Sequence, residues 1–163
     1  MTLRAACPAD APAIAALWNR MIHDTLATFT TVALTTAEVA GRIDARKGRF
    51  WVAVDATDTA QGFVTFGPFR SGPGYAATVE HTIILDRTVQ GAGLGHALMA
   101  LAETGARDLG HHVMVAAISS ANPAAIRFHT SRGFVQTGHL PQVGRKADQW
   151  LDLILMQKVI SAR

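Results

Sequence analysis

A glycine-rich turn between an apolar run and a helix limits the folds open to this chain more than any other feature. Residues 83–85 end a strand-like apolar run, and a helical repeat of leucines begins at Leu94. Three glycines mark this junction: Gly91, Gly93 and Gly95. Glycine lets a backbone approach a ligand closely, and the free amides at the start of a helix bind anions, most often phosphates. The turn therefore predicts a phosphate-bearing ligand.

The spacing of these glycines excludes two common nucleotide motifs. A dinucleotide fingerprint needs glycines at its first, third and sixth positions, and the sixth position is His96 when counting from Gly91 or Leu98 when counting from Gly93. A triphosphate loop needs a lysine after its last glycine, and no lysine is nearby. The remaining pattern is Gln90-x-x-Gly93-x-Gly95. A glycine turn that binds no ligand stays an alternative on this pattern alone.

Composition narrows the class of protein. A length of 163 residues predicts a single domain, residues 1–163, and 49% apolar with 17% charged residues is typical of a globular chain. The net charge of +3 is dispersed, without the basic stripe of a nucleic-acid-binding protein. No apolar run is long enough to span a membrane. Cys7, the only cysteine, is expected to be a small buried residue, and its isolation fits the reducing cytoplasm.

Strand-like and helical patterns follow one another along the chain, which predicts an α+β or α/β fold, a mixed sheet with helices on its faces. Helices are expected after the cap residues Asp10, Thr35 and Asn122 and after the glycine turn. The last two strands are predicted to be joined by a connection that contains Pro141 and Gly144. The predicted strands are Leu3–Ala5, Phe50–Val54, Gln61–Pro68, Tyr75–Leu85, His112–Ile118, Phe134–Gly138 and Trp150–Met156.

The glycine pattern resembles the pyrophosphate loop of the GNAT superfamily of N-acetyltransferases. Further motifs in the same order are similar to the branch that acetylates phosphinothricin and methionine sulfoximine. The resemblance implies the GNAT fold, with a central, mostly antiparallel sheet that splays at the cofactor site and carries helices on both faces. The chain departs from the branch at Ala147 and Asp148, where an aromatic residue and a glycine are usual, and at Ala117. The motifs are Pro68-Phe69-Arg70, Tyr75–Thr82, His112–Ala116, Asn122, Ile126–His129, Gly133-Phe134, Gln142–Lys146 and Trp150–Leu153.

The resemblance implies that acetyl-CoA is the cosubstrate and that no metal takes part. The glycine turn would hold the pyrophosphate, the strand before it would pair with the pantetheine arm, and two residues of the later helix would add contacts. The predicted cofactor-binding residues are Ile83, Ile84, Leu85, Gln90, Gly91, Ala92, Gly93, Leu94, Gly95, His96, Asn122 and Ser131.

Two residues carry the predicted proton transfers. Glu80 lies within an apolar strand, where burial raises the pKa of a carboxyl and suits it to act as a base near neutral pH. An exposed glutamate, or one paired with Arg70, is the alternative. His129 lies seven residues after Asn122, close to two helical turns, so both side chains share a face. The resemblance places Glu80 as the base. It places His129 where many members have a tyrosine that acts as general acid for the leaving thiolate, and a histidine with a pKa near 6.5 can either donate or accept a proton. A capping or surface histidine is the alternative.

Five residues are predicted to bind the acceptor. A guanidinium binds a carboxylate or phosphinate in a fork, and Arg70 is the first candidate, flanked by Phe69 and Tyr75. Phe29 and Lys146 resemble pocket residues of the same branch.

These observations lead to one functional prediction: acetyl transfer from acetyl-CoA to the α-amine of a small amino-acid analogue, by direct attack in a ternary complex. Phosphinothricin, methionine sulfoximine and methionine sulfone are the candidate acceptors. A protein or peptide acetyltransferase that acts on N-termini or lysines, and a CoA-binding module without catalysis, are the alternatives. The resemblance further implies a homodimer that binds a small-molecule amine. The composition predicts a cytoplasmic protein with no nucleic-acid or membrane partner.

Overall fold

A seven-stranded sheet organises the structure, a computed structural model that describes residues 1–161. The strands lie in the order β1-β2-β3-β4-β5-β7-β6. Their bounds are Thr2–Ala5 (β1), Phe50–Val54 (β2), Ala60–Pro68 (β3), Thr78–Leu85 (β4), Val113–Ser119 (β5), Val135–Lys146 (β6) and Gln149–Val159 (β7).

One pair of neighbouring strands differs from all the others. β4 and β5 are parallel, whereas the remaining neighbours are antiparallel. Their pairing is also short, since it ends where Glu80 meets Val115. Beyond that point β4 continues to Leu85 paired with β3 alone, and β5 continues to Ser119 paired with β7 alone. The sheet is therefore split between its two central strands.

Helices cover both faces of this sheet. The helices α1 (Ala11–Asp24) and α2 (Thr36–Ala45) pack on one face, and α3 (Leu94–Asp108) and α4 (Pro123–Ser131) pack on the other. Neighbouring residues of β3 show the division, because Phe63 joins the core under α1 and α2 while Val64 joins the core under α3. The predicted mixed, mostly antiparallel sheet with helices on both faces is confirmed. None of the helices within residues 1–161 is long and apolar enough to cross a membrane.

Of the predicted caps of α1 and α2, the structure confirms Thr35 but not Asp10. Thr35 begins α2 as predicted, because its hydroxyl accepts from the Glu38 amide and the Glu38 carboxylate accepts from the Thr35 amide at 2.7 Å. Asp10 does not cap α1 with its side chain. Its carboxylate instead accepts two hydrogen bonds from Arg4, both 2.8 Å long, and one from the Cys7 amide. An ion pair with Arg4, six positions earlier in the chain, has replaced the cap.

Three other predictions were wrong. Residues 75–77 are not part of a strand, because Pro73–Tyr75 forms a 3-10 turn and β4 begins only at Thr78. The expected connection with Pro141 and Gly144 is not a loop, since it lies inside the long edge strand β6, whose pairing with β7 shifts register there. Cys7 is exposed, not buried.

Candidate active site

The split between β4 and β5 opens a cleft of about 800 Å³. Side chains of both diverging strands form its walls, with Thr82 and Ile83 on one side and Ile118 and Ser119 on the other. The edge of β4 beyond Glu80 has no strand partner on this side within residues 1–161. Unpaired backbone amides and carbonyls at a strand edge can bind an extended ligand as an added strand would be bound.

The glycine turn forms one rim of the cleft. Gly91 and Gly93 have φ angles of +83° and +78°, in the left-handed region that favours glycine, and Gly93 immediately precedes α3. Gly95 lies in the first turn of α3, where a Cβ would stand 3.2 Å from the Phe128 ring. The amides at the start of α3 therefore border open space, as an anion site requires.

The predicted cofactor residues divide by position. Ile84 and Leu94 lie in the two hydrophobic cores and are not among the residues that line the cleft. Ala92 is exposed and Ser131 is exposed with its hydroxyl donating to the Phe128 carbonyl at 2.7 Å, and neither lines the cleft. The predicted cofactor residues that line the cleft are Ile83, Leu85, Gln90, Gly91, Gly93, Gly95, His96 and Asn122.

Asn122 and His129 both reach the cleft from α4. The Asn122 side-chain oxygen accepts from the Ala125 amide at 3.1 Å, so Asn122 caps its helix as expected. The cap uses the oxygen, which leaves the amide group of that side chain as a donor for a ligand. His129 is buried, which rules out the surface role considered for it.

Glu80 stands where the two strands separate. It faces Gly67 across the β3–β4 pair, and side chains directly opposite each other lie on the same face of a sheet. The space beside Gly67 is filled by the Arg46 guanidinium of α2, so Glu80 lies on the face of α1 and α2. Burial raises the pKa of Glu80, and the positive charge of Arg70 partly opposes this shift. No ion pair within 4 Å joins Glu80 to Arg70, and the carboxylate is half-buried.

His81, the next residue of β4, faces the opposite side of the sheet because strand side chains alternate. Its Nε2 lies 2.9 Å from Nε2 of His129, and its Nδ1 lies 2.9 Å from the Val115 carbonyl. Nδ1 of His129 lies 2.8 Å from the Ala125 carbonyl. Both rings border the cleft. Burial lowers the pKa of both histidines, and the neighbouring His129 lowers that of His81 further.

The predicted acceptor residues occupy three places. Phe29 lines the cleft, and its ring packs so closely on Gly144 that a Cβ there would lie 2.5 Å away. Lys146 lies outside the lining, donates to the Thr28 carbonyl at 3.0 Å and borders a small second cavity.

The third place is a cluster beside Glu80 and outside the cleft lining. The ring of Phe69 contacts the Arg70 guanidinium, 5.3 Å from its centroid, and meets the Tyr75 ring edge-on at 6.1 Å. Arg70 and Tyr75 are exposed. Arg70 therefore influences Glu80 through its charge and not through direct contact.

Sequence reasoning missed three residues that line the cleft, Trp18, Arg42 and His81. Arg42 of α2 lies 5.1 Å over the Trp18 ring of α1, and both line the cleft. Within residues 1–161 no carboxylate lies within 4 Å of the Arg42 guanidinium. Trp18 lies among apolar residues at helical spacing, which is typical of a core, and Arg42 is one of several dispersed cations. No sequence pattern therefore predicts that either residue lines the cleft. His81 was missed because it lies inside an apolar strand, where a core residue is expected.

No group of three or more metal-ligating side chains occurs in the described part of the chain.

Comparison with known proteins identifies the family. The sequence model of the Acetyltransferase (GNAT) family matches residues 18–134. The chain belongs to the GNAT family of acetyltransferases.

Two relatives match this GNAT enzyme over nearly its whole length. An L-amino acid N-acyltransferase, MnaT, from Escherichia coli is 37% identical over 165 residues, covering 100% of this chain and 96% of its own. An L-methionine sulfoximine/L-methionine sulfone acetyltransferase from Salmonella typhimurium is 38% identical over 159 residues, covering 96% and 93%. A solved acetyltransferase from Salmonella typhimurium, with its cofactor acetyl-CoA, superposes on this GNAT fold with a TM-score of 0.94, 37% identity and coverage of 100% and 95%. The protein is an N-acetyltransferase.

Proposed function

We propose that this enzyme transfers acetyl from acetyl-CoA to the α-amine of a small amino-acid analogue. The observation that carries the proposal is one continuous cleft that joins the glycine turn to Glu80. The cleft connects the face of the sheet that bears α3 and α4 with the face that bears α1 and α2. The cosubstrate and the amine can therefore enter from opposite faces and meet where the strands separate.

The donor side fits acetyl-CoA in three respects. The amides at the start of α3 match a pyrophosphate, because the helix dipole adds to their positive potential. The unpaired edge of β4 matches the amide-containing pantetheine arm. The amide group of Asn122 remains a donor beside them. When bound, acetyl-CoA supplies the activated thioester.

The chain's own groups supply the proton transfers. An amino acid is mostly ammonium at neutral pH, so a proton must be removed before its nitrogen can attack. Glu80 is placed for this step, because burial raises its pKa toward the working pH. The buried histidines lie on the other face, beside the groove in which the thiolate leaves. No cysteine is among the residues that line the cleft, which supports direct transfer.

The acceptor side combines apolar walls with positive charge. Trp18, Met21 and Phe29 provide apolar surface, and within residues 1–161 Arg42 is the one lysine or arginine that lines the cleft. A small amino-acid analogue offers the complementary groups, an apolar chain and an anionic carboxylate. Methionine sulfoximine, methionine sulfone and phosphinothricin are the first acceptors to test, since a relative 38% identical carries the first two in its name.

The test is thiol release from acetyl-CoA with a panel of free amino acids, the three analogues and short peptides. We expect turnover with at least one of the three analogues and acetylation at its α-nitrogen by mass spectrometry. Turnover of peptides alone would instead make the enzyme a peptide acetyltransferase. Tight binding of acetyl-CoA without turnover of any amine would leave a CoA-binding module.

Replacing Arg42 by methionine is expected to raise the acceptor KM about 10-fold, because a hydrogen bond to a charged group contributes about 1.5–3 kcal/mol. Methionine keeps the aliphatic packing on Trp18 and removes the charge. The KM for acetyl-CoA should stay within about 2-fold, since Arg42 belongs to the opposite face of the sheet. Initial rates with each substrate varied in turn measure both constants.

Arg49→Met is the matched control for Arg42→Met. It removes the same charge from a residue just past α2 that does not line the cleft and whose guanidinium donates to the Ala45 carbonyl. An acceptor KM that rises equally in both variants would show that only the overall charge matters and would remove Arg42 from the acceptor site.

We propose a homodimer formed through the β6–β7 hairpin. β6 is an edge strand, and an unpaired edge strand is a template for association. Its hairpin exposes Leu140, Val143 and Trp150, which is 59% exposed. Light scattering should give twice the chain mass for the wild type and a lower mass for Trp150→Glu, and a wild-type monomer at all concentrations would contradict the proposal. The cytoplasmic location and the single domain stay predictions.

A further inference from the structure

The hydrogen-bond contacts of His81 and His129 need more protons than two neutral imidazole rings carry. Nε2 faces Nε2 at 2.9 Å, and each Nδ1 lies 2.8–2.9 Å from a backbone carbonyl, Val115 for one ring and Ala125 for the other. A carbonyl oxygen only accepts, so each Nδ1 must carry a hydrogen to bond to it. The contact between the two Nε2 atoms needs one more hydrogen. Three hydrogen bonds therefore need three protons on four nitrogens.

Two neutral imidazoles carry only two protons. If both protons sit on Nδ1, the two Nε2 lone pairs face each other at 2.9 Å and repel. If one of the two protons lies between the Nε2 atoms, one Nδ1 carries no hydrogen and cannot bond to the carbonyl that it faces. The pair is complete only with a third proton and one positive charge, which burial of both rings disfavours. Hydrogen bonding and desolvation thus oppose each other, a balance that suits a site which gains and loses one proton.

We propose that His81 and His129 form a single proton-sharing unit, in which His81 is a positioning residue that sets whether Nε2 of His129 carries a proton. The only proton of the unit that is not bonded to a backbone carbonyl is the one between the two Nε2 atoms. That proton is the transferable one. Both rings border the cleft, so this proton can pass from the contact to a group bound there.

The role in the reaction follows from proton balance, and this step rests on the proposed function. Glu80 takes one proton from the ammonium before attack and releases it to water. As the N–C bond forms, Glu80 takes the second proton that the nitrogen loses. As the C–S bond breaks, the sulfur keeps the electron pair of that bond and takes a proton from the His81–His129 unit. Water then returns the proton of Glu80 to the unit. Glu80 and His81 are consecutive residues on opposite faces of β4, so the same strand carries the proton acceptor and one half of the proton donor.

Within residues 1–161 no carboxylate forms a hydrogen bond with either ring of the unit. The rings pack against Phe134, whose ring centroid lies 5.5 Å from that of His81 and 5.2 Å from that of His129. β5 contributes no titratable side chain. The nearest titratable or charged groups are Glu80 on β4, His96 on α3 across Phe128, Arg127 on α4, and the cluster of Lys158, Glu103 and Arg132 around Phe134.

The first experiment needs neither acceptor nor acetyl-CoA. ¹⁵N NMR of histidine side chains in the free wild-type protein, titrated from pH 8 to pH 4, should show the signals of His81 and His129 changing together at one apparent pKa. In His81→Gln, His129 should titrate alone at a different pKa. Independent titration of the two wild-type rings, or fixed neutral tautomers throughout the range, would overturn the proposal, whatever the acceptor proves to be.

The second experiment is kinetic. His81→Phe keeps a ring in the core and removes both nitrogens, so kcat should fall about 10-fold or more while the KM for acetyl-CoA stays within about 2-fold. The pH profile of kcat should also shift, and His81→Gln should recover part of the rate. His112→Phe is the control, because His112 is exposed and bonds Ser161 away from the cleft. A His81→Phe enzyme with the wild-type kcat and pH profile would make His81 merely structural.

Discussion

Replacing Glu80 by glutamine is expected to lower kcat by about 10²-fold or more, the usual size of the loss of a general base. Glutamine has the shape of glutamate but cannot take up a proton. Burial raises the pKa of Glu80, so the wild-type kcat/KM should fall as the pH drops through that raised pKa. The variant should lack this acid limb. Initial rates from pH 5 to pH 9 measure both effects.

Stability measurements separate a lost base from a damaged fold. A carboxyl whose pKa is raised in the folded state binds its proton more readily there than in the unfolded chain. Its contribution to stability is therefore complete at low pH and is lost as the pH rises through the folded pKa. Glu80→Gln should accordingly melt at the same or a higher temperature than the wild type at pH 8, with a smaller difference at pH 4.

Asp44→Asn is the control for Glu80→Gln. Asp44 is an exposed carboxylate on α2 that does not line the cleft. Its neutralisation should leave kcat within about 2-fold of the wild type, the range expected where no proton transfer is lost. A Glu80→Gln enzyme with an unchanged rate from pH 6 to pH 9 would reject Glu80 as the base.

Replacing Gly93 by valine is expected to weaken acetyl-CoA binding by about 10-fold or more. Gly93 holds a φ of +78° before α3, and a strained backbone position of this kind costs roughly 1–3 kcal/mol for another residue. A Cβ there would meet nothing within 4 Å. The added side chain would thus point into open space at the rim of the cleft, where the pyrophosphate is expected. Titration calorimetry with acetyl-CoA measures the loss.

Gly110→Val controls for the backbone strain alone. Gly110 follows the other end of α3, with a φ of +83° and likewise nothing within 4 Å of an added Cβ. Both variants should lower the free energy of unfolding by a similar amount, measured in urea. Only Gly93→Val should change the affinity for acetyl-CoA. Equal affinities in the two variants would show that the turn does not bind the cofactor.

Prediction from sequence succeeded where the deciding contacts were local. The capping box at Thr35 and Glu38, and the Asn122 cap, each depend on residues three positions apart. It failed at Asp10, whose carboxylate binds Arg4 and the Cys7 amide, while the same Arg4 also binds Asp58, 54 positions away. Pro141 was wrongly placed in a loop because proline suits an edge strand as well as a turn, and only the sheet order shows that β6 lies at an edge.

The residues of the candidate site likewise differ in whether the sequence predicted them. The glycine turn, Glu80 and His129 carried signals in the sequence, through spacing, through a charge in an apolar run and through a family resemblance. No sequence pattern predicted that His81 contacts His129, because the two residues are 48 positions apart. Arg42 and Trp18 likewise enter the cleft only because α1 and α2 pack on the face that Glu80 occupies.

The sequence by itself determined the glycine turn and the alternation of helices and strands, since backbone preferences and apolar periodicity act over a few residues. Only the tertiary structure decided that β4 and β5 separate after Glu80 and Val115. That separation depends on each strand keeping its other neighbour while losing this one, a competition among distant segments. It makes the glycine turn one end of a cleft, and it places the half-buried Glu80 and the buried contact between His81 and His129 on opposite faces of β4.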